Sequence, residues 1–429
     1  MMIAAMILVV LFGFSAGMPI AFALGLGTVC YIALTGVVPL SLVASEYYVA
    51  FDNLILSAVP LFLFTGLVMS EGSLTERLID FANSLIGRVR GGLAYVNIIS
   101  NMIMAGMSGA ATSDAAATGS VLIPAMTRAG YPKAFSGAIT AAAATIGPVI
   151  PPSIPMLVYA SFADVSVGRA FLAGVVPGFG MGIAFMGIAL WLSVRRKYPI
   201  TPVPFSLLGV ARATVRVAPA LSVPGIIIGG IVFGVFTATE ASAVAAIMSI
   251  LISGLLYREL TSKSLYKVAL QAAVVSGVIM TVLGLAKGLS WILTRERIAS
   301  SMSQLLLHAS HGQTSFLLLL TAILLILGCF LDATPIMIIV LPVVIPVAKS
   351  LGVDLILMGV VVVLSLMVGL LTPPVGITAM LVCSMTNLKM YELVREAWPF
   401  WLGIIAVILL TILFPGIVMW VPNLVMPSG

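Results

Sequence analysis

The chain has 429 residues, of which 61% are apolar and only 8% carry charge, with a mean hydropathy of +1.24. Soluble domains carry about a quarter charged residues, so the composition excludes one and describes an integral membrane protein with little extramembrane mass. The net charge of +6 is accounted for by the basic loops that orient membrane spans and requires no nucleic acid.

From the N-terminus, Met1 to Leu11 has no basic residue ahead of its apolar run and reads as a span rather than a cleaved signal. Apolar stretches predict helices over 2–16, 19–36, 53–71, 134–160, 169–195, 218–236, 240–257, 266–287, 355–383 and 398–421. Between them, Leu74–Val89 sets Glu76, Arg77 and Asp80 against Leu78, Ile79, Phe81, Leu85 and Ile86, the pattern of a helix lying in the membrane interface. Leu293–Leu307 is its counterpart. Two further segments, Gly91–Thr127 and Ser315–Ala348, have limbs shorter than the roughly 20 residues that a crossing takes. Their polar bends lie at Met107–Asp114 and Gly328–Thr334. They are predicted to be re-entrant helical hairpins.

The spans 134–160 and 355–383 are both interrupted in the middle, at Gly147 with Pro151-Pro152 and at Gly369 with Pro373-Pro374. Proline removes a backbone donor and glycine lets the chain turn. In hydrocarbon such a break survives only where the freed backbone is buried in protein or lines a polar cavity. The pairing extends along the chain at an offset of about 220 residues, from Gly13–Pro19 with Gly234–Glu240 to Val176-Pro177 with Trp398-Pro399. With Arg195-Arg196-Lys197 placed in the cytoplasm, tracing both ways leaves outside only Arg169, Lys287, Arg295, Arg297 and Lys349 of the 20 basic residues. That trace holds only if both hairpins fail to cross, and it gives the halves opposite membrane sense. The fold class is therefore all-α, an inverted-topology repeat with two re-entrant hairpins and two discontinuous helices. The expected organisation is scaffold helices and an arm helix (1–90), a first hairpin and broken helix (91–168), scaffold helices and a second arm (169–312), a second hairpin and broken helix (313–390), and a C-terminal scaffold helix (391–429).

Chemistry is expected at the interrupted backbones. In the first bend, small residues allow close approach while Ser108, Thr112 and Ser113 supply hydroxyls, and the N-terminus of the returning limb offers free donors that suit an anionic solute. The broken helices expose carbonyls, which are hard ligands for an alkali cation. Two cation sites, for sodium, are predicted: one from Gly147, Val149 and Ile150 beside Ser108, the other from Gly369 and the carbonyl and hydroxyl of Thr372 beside Gly328. Ser153 and Asp332 are placed with the substrate group, since an acid at membrane depth is a functional hypothesis by default. Against this, Ser113, Asp114 and Asp332 are ordinary helix-capping types. Asp114, the four prolines of the two breaks and Glu240 are read as structural or hinge residues, Glu240 in a helix's first turn. Cys30, Cys329 and Cys383 read as small buried hydrophobes, His308 and His311 as solvated loop residues, and the tryptophans as interfacial anchors. No His-Glu-x-x-His and no serine with a neighbouring base is present in the sequence, so it is not read as an enzyme.

Four motifs in order, Gly106-Met107-Ser108-Gly109 with Ser113-Asp114, Ile146–Pro155, Phe236–Ala241 and Leu371–Gly376, together resemble the large membrane subunit of tripartite ATP-independent periplasmic (TRAP) transporters. The resemblance covers essentially the whole chain and departs at Ala238, where the family more often has proline. It implies a sodium-driven importer of small organic acids, carboxylates or sulfonates, in the bacterial inner membrane. It also implies a small four-helix membrane subunit and a periplasmic substrate-binding protein as partners, and an elevator motion of hairpins and broken helices against a scaffold. It assigns Ser108, Ser153 and Asp332 to the substrate region. Sodium is the coupling ion, and no organic cofactor is implied. The competing reading is a stand-alone organic-anion carrier or antiporter that needs no binding protein.

Overall fold

The computed structural model describes residues 2–36, 38–72, 74–200, 206–297, 304, 306 and 312–427. Within them the regular structure is helical apart from one isolated bridge between Arg90 and Ile200. Six helices are long and apolar enough to cross a membrane, and a seventh candidate is the bent pair Ala58–Glu71 and Leu74–Ile86, which turns by 73°. Large apolar side chains face outward, among them Phe233 at 81% and Leu54 at 77% exposure. An exterior of this kind is stable against lipid and not against water.

Most of the predicted elements are present with shifted ends. Ser41–Phe51 is a helix that the apolar pattern did not announce, because Glu46 and two tyrosines interrupt it. The stretch 266–287 belongs to a longer helix, Ser262–Arg295, begun by a Thr261 cap. At 1.5 Å per residue its 34 residues reach about 51 Å, more than the hydrocarbon core, so its ends project beyond it. The expected arm at Leu293–Leu307 starts inside this helix. Residues 298–303, 305 and 307–311, with both histidines, lie outside the described residues. The last span is two helices, Met390–Leu413 and Pro415–Val425, parted at Phe414 because Pro415 disfavours helical backbone before it.

Both interrupted spans are confirmed as breaks. Lys133–Ala144 and Ile154–Ala163 flank the first, and Leu355–Gly369 and Ile377–Thr386 flank the second; Pro151-Pro152 and Pro373-Pro374 are each cis. Each far segment ends on a left-handed residue, Asp164 or Asn387. Two helix pairs double back, Gly92–Ser108 into Ala111–Arg128, where Asn97 meets Met126, and Gln313–Gly328 into Ala333–Ser350, where Gln313 donates to the Leu351 and Gly352 carbonyls. The two sets interlock. Ile154–Ala163 packs on Ala333–Ser350 and Leu355–Gly369, while Ile377–Thr386 packs on Ala111–Arg128 and Lys133–Ala144. Tyr159 ties the halves at one point, donating to the Leu355 carbonyl at 2.5 Å with its ring against Gly359.

Lipid tails are as apolar as leucine, so close van der Waals packing, not burial, holds such helices together. Gly174, Gly178 and Gly182 lie one turn apart on Val167–Arg195 and meet the Val149 carbonyl, Ile150 and Met102. A side chain at Gly174 or Gly178 would push the long helix off the first break. At the helix ends polar ties take over. Arg77 binds Glu259 at 2.5 Å and lies over the Tyr257 ring, and Arg196 binds Glu396 at 2.6 Å.

Candidate functional site

The first hairpin reverses at Gly109, whose φ of 61° a side chain would strain, and whose missing Cβ leaves room for the Pro152 carbonyl. Ser108 is thereby fixed at the end of one limb and Asp114 in the first turns of the other. The Ser108 hydroxyl donates to Asp114 Oδ1, and Asp114 is fully buried. Its Oδ2 has no hydrogen-bond partner among the described residues and faces Gly147 so closely that a Cβ on that glycine would collide with it. Asp114 is therefore not a cap. The N-cap position of Ala111–Arg128 is Ala110, which makes no side-chain capping bond. The backbone donors of Ala111, Thr112 and Ser113 in this first turn have no partner among the described residues.

That uncapped turn borders a cavity of about 480 Å³. Ser108, Thr112 and Ser113 line it from the hairpin, Gly66 and Ser70 from Ala58–Glu71, and Gln271 from Ser262–Arg295. The Thr112 and Ser113 hydroxyls, the Gln271 amide and the backbone donors thus border a space with no charged side chain in its lining. The Ser108 and Ser70 hydroxyls donate to Asp114 and to the Gly66 carbonyl. Gly66 permits the approach, since a Cβ there would lie 2.8 Å from the Ser108 Cα. The sequence reading missed Ser70 and Gln271. Gln271 carried a signal, being an amide in the middle of an apolar helix.

Behind the bend runs a buried polar chain that the sequence reading also missed. Thr118 donates to the Asp114 carbonyl at 2.7 Å and approaches Asn101 at 3.2 Å; Asn101 donates to Asn97 at 2.9 Å, and Asn97 to Thr140 at 2.7 Å. Asn97, Asn101, Asp114, Thr118 and Thr140 are all fully buried. Asn97 and Asn101, one turn apart in an apolar limb, were the legible sign. A chain of satisfied bonds in a low-dielectric interior fixes the two limbs and Lys133–Ala144 in one register.

The other predicted residues divide. Ser153 is buried, caps Ile154–Ala163 by accepting from Met156 N at 3.1 Å, and donates to the Pro148 carbonyl. It closes its own break and does not line the cavity. Asp332 caps Ala333–Ser350, accepting from Ala333 N at 2.8 Å, and it too lies away from the cavity lining. Glu240 forms a capping box with Thr237, its carboxylate accepting from the Thr237 amide at 2.8 Å and the Thr237 hydroxyl at 2.9 Å. The tie to the neighbouring loop comes instead from Thr239, which donates to the Leu54 carbonyl at 2.6 Å.

At the first break, the carbonyls of Gly147, Val149 and Ile150 accept no hydrogen bond from a described residue. Gly147 faces the bend, against Asp114 Oδ2. The Val149 carbonyl and the Ile150 side chain turn to Gly174 and Gly178, because those glycines bring the long helix against them. At the second break, Gly328 and Gly369 meet backbone to backbone, and Val375 N donates to the Cys329 carbonyl at 3.1 Å. The Thr372 hydroxyl donates to Val368 at 2.7 Å and so keeps its lone pairs open. The Gly369 carbonyl already accepts from Thr372 N at 3.1 Å.

The family model described as the tripartite ATP-independent periplasmic transporter DctM component matches residues 5–417. Among curated proteins, the chain is 34% identical over 411 residues to the sialic acid TRAP transporter permease protein SiaT of Haemophilus influenzae, covering 96% of this chain and 67% of that one. It is 35% identical over 380 residues to the C4-dicarboxylate TRAP transporter large permease protein DctM of Pseudomonas aeruginosa, covering 88% of this chain and 87% of the relative. Among solved structures, the Alcanivorax borkumensis YdaH transporter shares the fold, with a TM-score of 0.61 at 15% identity and 88% of each chain covered. The matched span holds every helix from the hairpins to the two breaks, and the chain is a multi-pass protein of the bacterial inner membrane that belongs to the DctM family of TRAP transporter large permease components.

Proposed function

We propose that the chain imports a small organic anion, a carboxylate or sulfonate, in symport with sodium. A periplasmic binding protein delivers the solute, and a small four-helix membrane subunit completes the permease. The observation that carries this reading is the uncapped first turn of Ala111–Arg128 opening into the cavity beside Ser108, Thr112, Ser113 and Gln271. Open amides and the helix dipole favour an anion there. With no arginine in the lining, neutral donors hold it, which suits solutes whose charge is carried by one or two oxyanion groups.

In this reading the halves are inverted in the membrane and both doubled-back pairs are re-entrant. Ala333–Ser350, at 18 residues, is long enough to cross by length alone. The packing of Gly328 on Gly369 supports a bend held inside the protein instead. Residues 91–168 and 313–390 form the moving unit, and 1–90, 169–312 and 391–429 the scaffold. Because Gln271 belongs to the scaffold and Thr112 to the moving unit, an elevator step would take the anion away from one of its donors and release it. The sodium sites use the Gly147 carbonyl on one side, and the Gly328 carbonyl with Gly369 and Thr372 on the other.

Uptake into proteoliposomes tests this, with the chain reconstituted beside its membrane partner and loaded binding protein. Accumulation is expected only under an inward sodium gradient. Uptake indifferent to sodium counts against the symport, and uptake without a binding protein favours a stand-alone carrier.

A further inference from the structure

Beside the amphipathic arm Leu74–Ile86 lies a second polar cavity, of about 300 Å³, away from both breaks. Arg77, Asp80 and Ser84 line it from the arm, and Ser206, Arg212 and Arg216 from the start of Leu207–Val232. Arg77 is held by Glu259 at 2.5 Å. Arg212 and Arg216, one helical turn apart, form no ion pair with any described residue. Even with Asp80 and Glu259 counted, the cleft keeps an excess of positive charge. Along the same helix Leu207, Leu208 and Val215 are 76%, 69% and 73% exposed. A basic cleft bordered by bare apolar surface, beside an amphipathic arm, fits a ligand with one anionic end and one greasy end.

The geometry points to this cleft as a binding site for the phosphodiester headgroup of an anionic phospholipid, held by the Arg212 and Arg216 guanidinium groups while its acyl chains lie along Leu208 and Val215. Guanidinium binds phosphate oxygens through paired donors, and each basic residue near an anionic lipid surface contributes about a factor of five in affinity. The site stands apart from the transport cavity and does not depend on which solute is carried. Its consequence is structural: a lipid there would clamp the arm to Leu207–Val232 and anchor the scaffold at the membrane surface.

The test uses the full chain in delipidated detergent micelles, titrated with phosphatidylglycerol, phosphatidylcholine or inorganic phosphate. Native mass spectrometry reads occupancy and thermal unfolding reads the stabilisation. Phosphatidylglycerol is expected to bind and raise the unfolding temperature, phosphatidylcholine to do neither at equal concentration. Arg212→Gln with Arg216→Gln is expected to weaken phosphatidylglycerol binding about twenty-five-fold, and Arg212→Lys with Arg216→Lys to restore most of it. Both positions are exposed, so folding is expected to be kept; the lysine pair reads the charge independently should the glutamine pair fail to fold. Equal binding of both lipids, or a glutamine pair that binds as wild type does, would overturn the proposal. Equal stabilisation by inorganic phosphate would assign the cleft to a soluble anion, and loss of a co-purifying membrane subunit with lipid binding unchanged would assign it to a protein interface. Either of these also overturns it.

Discussion

Asp114 meets Gly147 across the gap between the first hairpin and the first broken helix, with carboxylate Oδ2 against the glycine Cα and no hydrogen-bond partner of its own among the described residues. Its other oxygen takes the Ser108 hydroxyl, so one buried carboxylate joins the bend to the break. Gly147→Ala is therefore expected to force the two apart. Overpacking of this kind costs about 1–3 kcal/mol. The purified variant should unfold at lower temperature and transport poorly; an unchanged melting curve would show that the break yields freely.

The polar chain behind the bend gives a second expectation. Asn101→Leu removes the partner of Thr118 and Asn97 at once and leaves buried groups unsatisfied. A loss of about 2–4 kcal/mol is expected. Thermal unfolding in detergent measures it, and a Thr118→Val variant, which loses the hydroxyl's contacts to the Asp114 carbonyl and Asn101 but keeps the bond from Asn101 to Asn97, should fall by less.

Asp332→Ala deletes a helix cap, which costs about 1 kcal/mol. If that were its whole role, the variant would transport nearly as wild type does. The substrate role that the family resemblance assigns to Asp332 predicts instead that uptake is lost while the protein stays inserted and folded, as judged by membrane yield and size-exclusion behaviour. Wild-type uptake would reduce Asp332 to its cap.

Thr372→Val keeps the shape of the second break and removes one oxygen from it. Its hydroxyl donates to the Val368 carbonyl in the last turn of the preceding helix, so the bond lost is a local one and stability should move little, about 0.5–1.5 kcal/mol. The sodium concentration for half-maximal uptake should rise several-fold with the solute dependence held. A titration that overlays wild type would remove Thr372 from the ion site.

Much of this was legible before any coordinates. Helix interruptions at Gly147 with Pro151-Pro152 and Gly369 with Pro373-Pro374 were readable because proline and glycine act locally, through a missing donor and a missing Cβ. The doubled-back limbs followed from their length and their polar bends. What stayed hidden depends on contacts between distant segments. Ser153 looked free to meet a solute, but its hydroxyl serves the Pro148 carbonyl five residues back. The Val149 carbonyl looked aimed at the bend, but Gly174, more than twenty residues away in sequence, draws it to the long helix. Gln271 is one polar side chain in a 34-residue helix, and nothing in its own neighbourhood says which cavity it reaches.

The measurement that bears most directly on the central reading is single-cysteine accessibility at the two bends. It would place Thr112→Cys or Leu331→Cys in a chain whose Cys30, Cys329 and Cys383 are replaced. In intact spheroplasts and in inverted vesicles, a bulky membrane-impermeant maleimide should leave both positions unlabelled, while a small charged thiol reagent should reach Thr112→Cys and be blocked by solute with sodium. Full labelling of the two bends by the bulky reagent from opposite faces would make every limb an ordinary crossing and contradict the account.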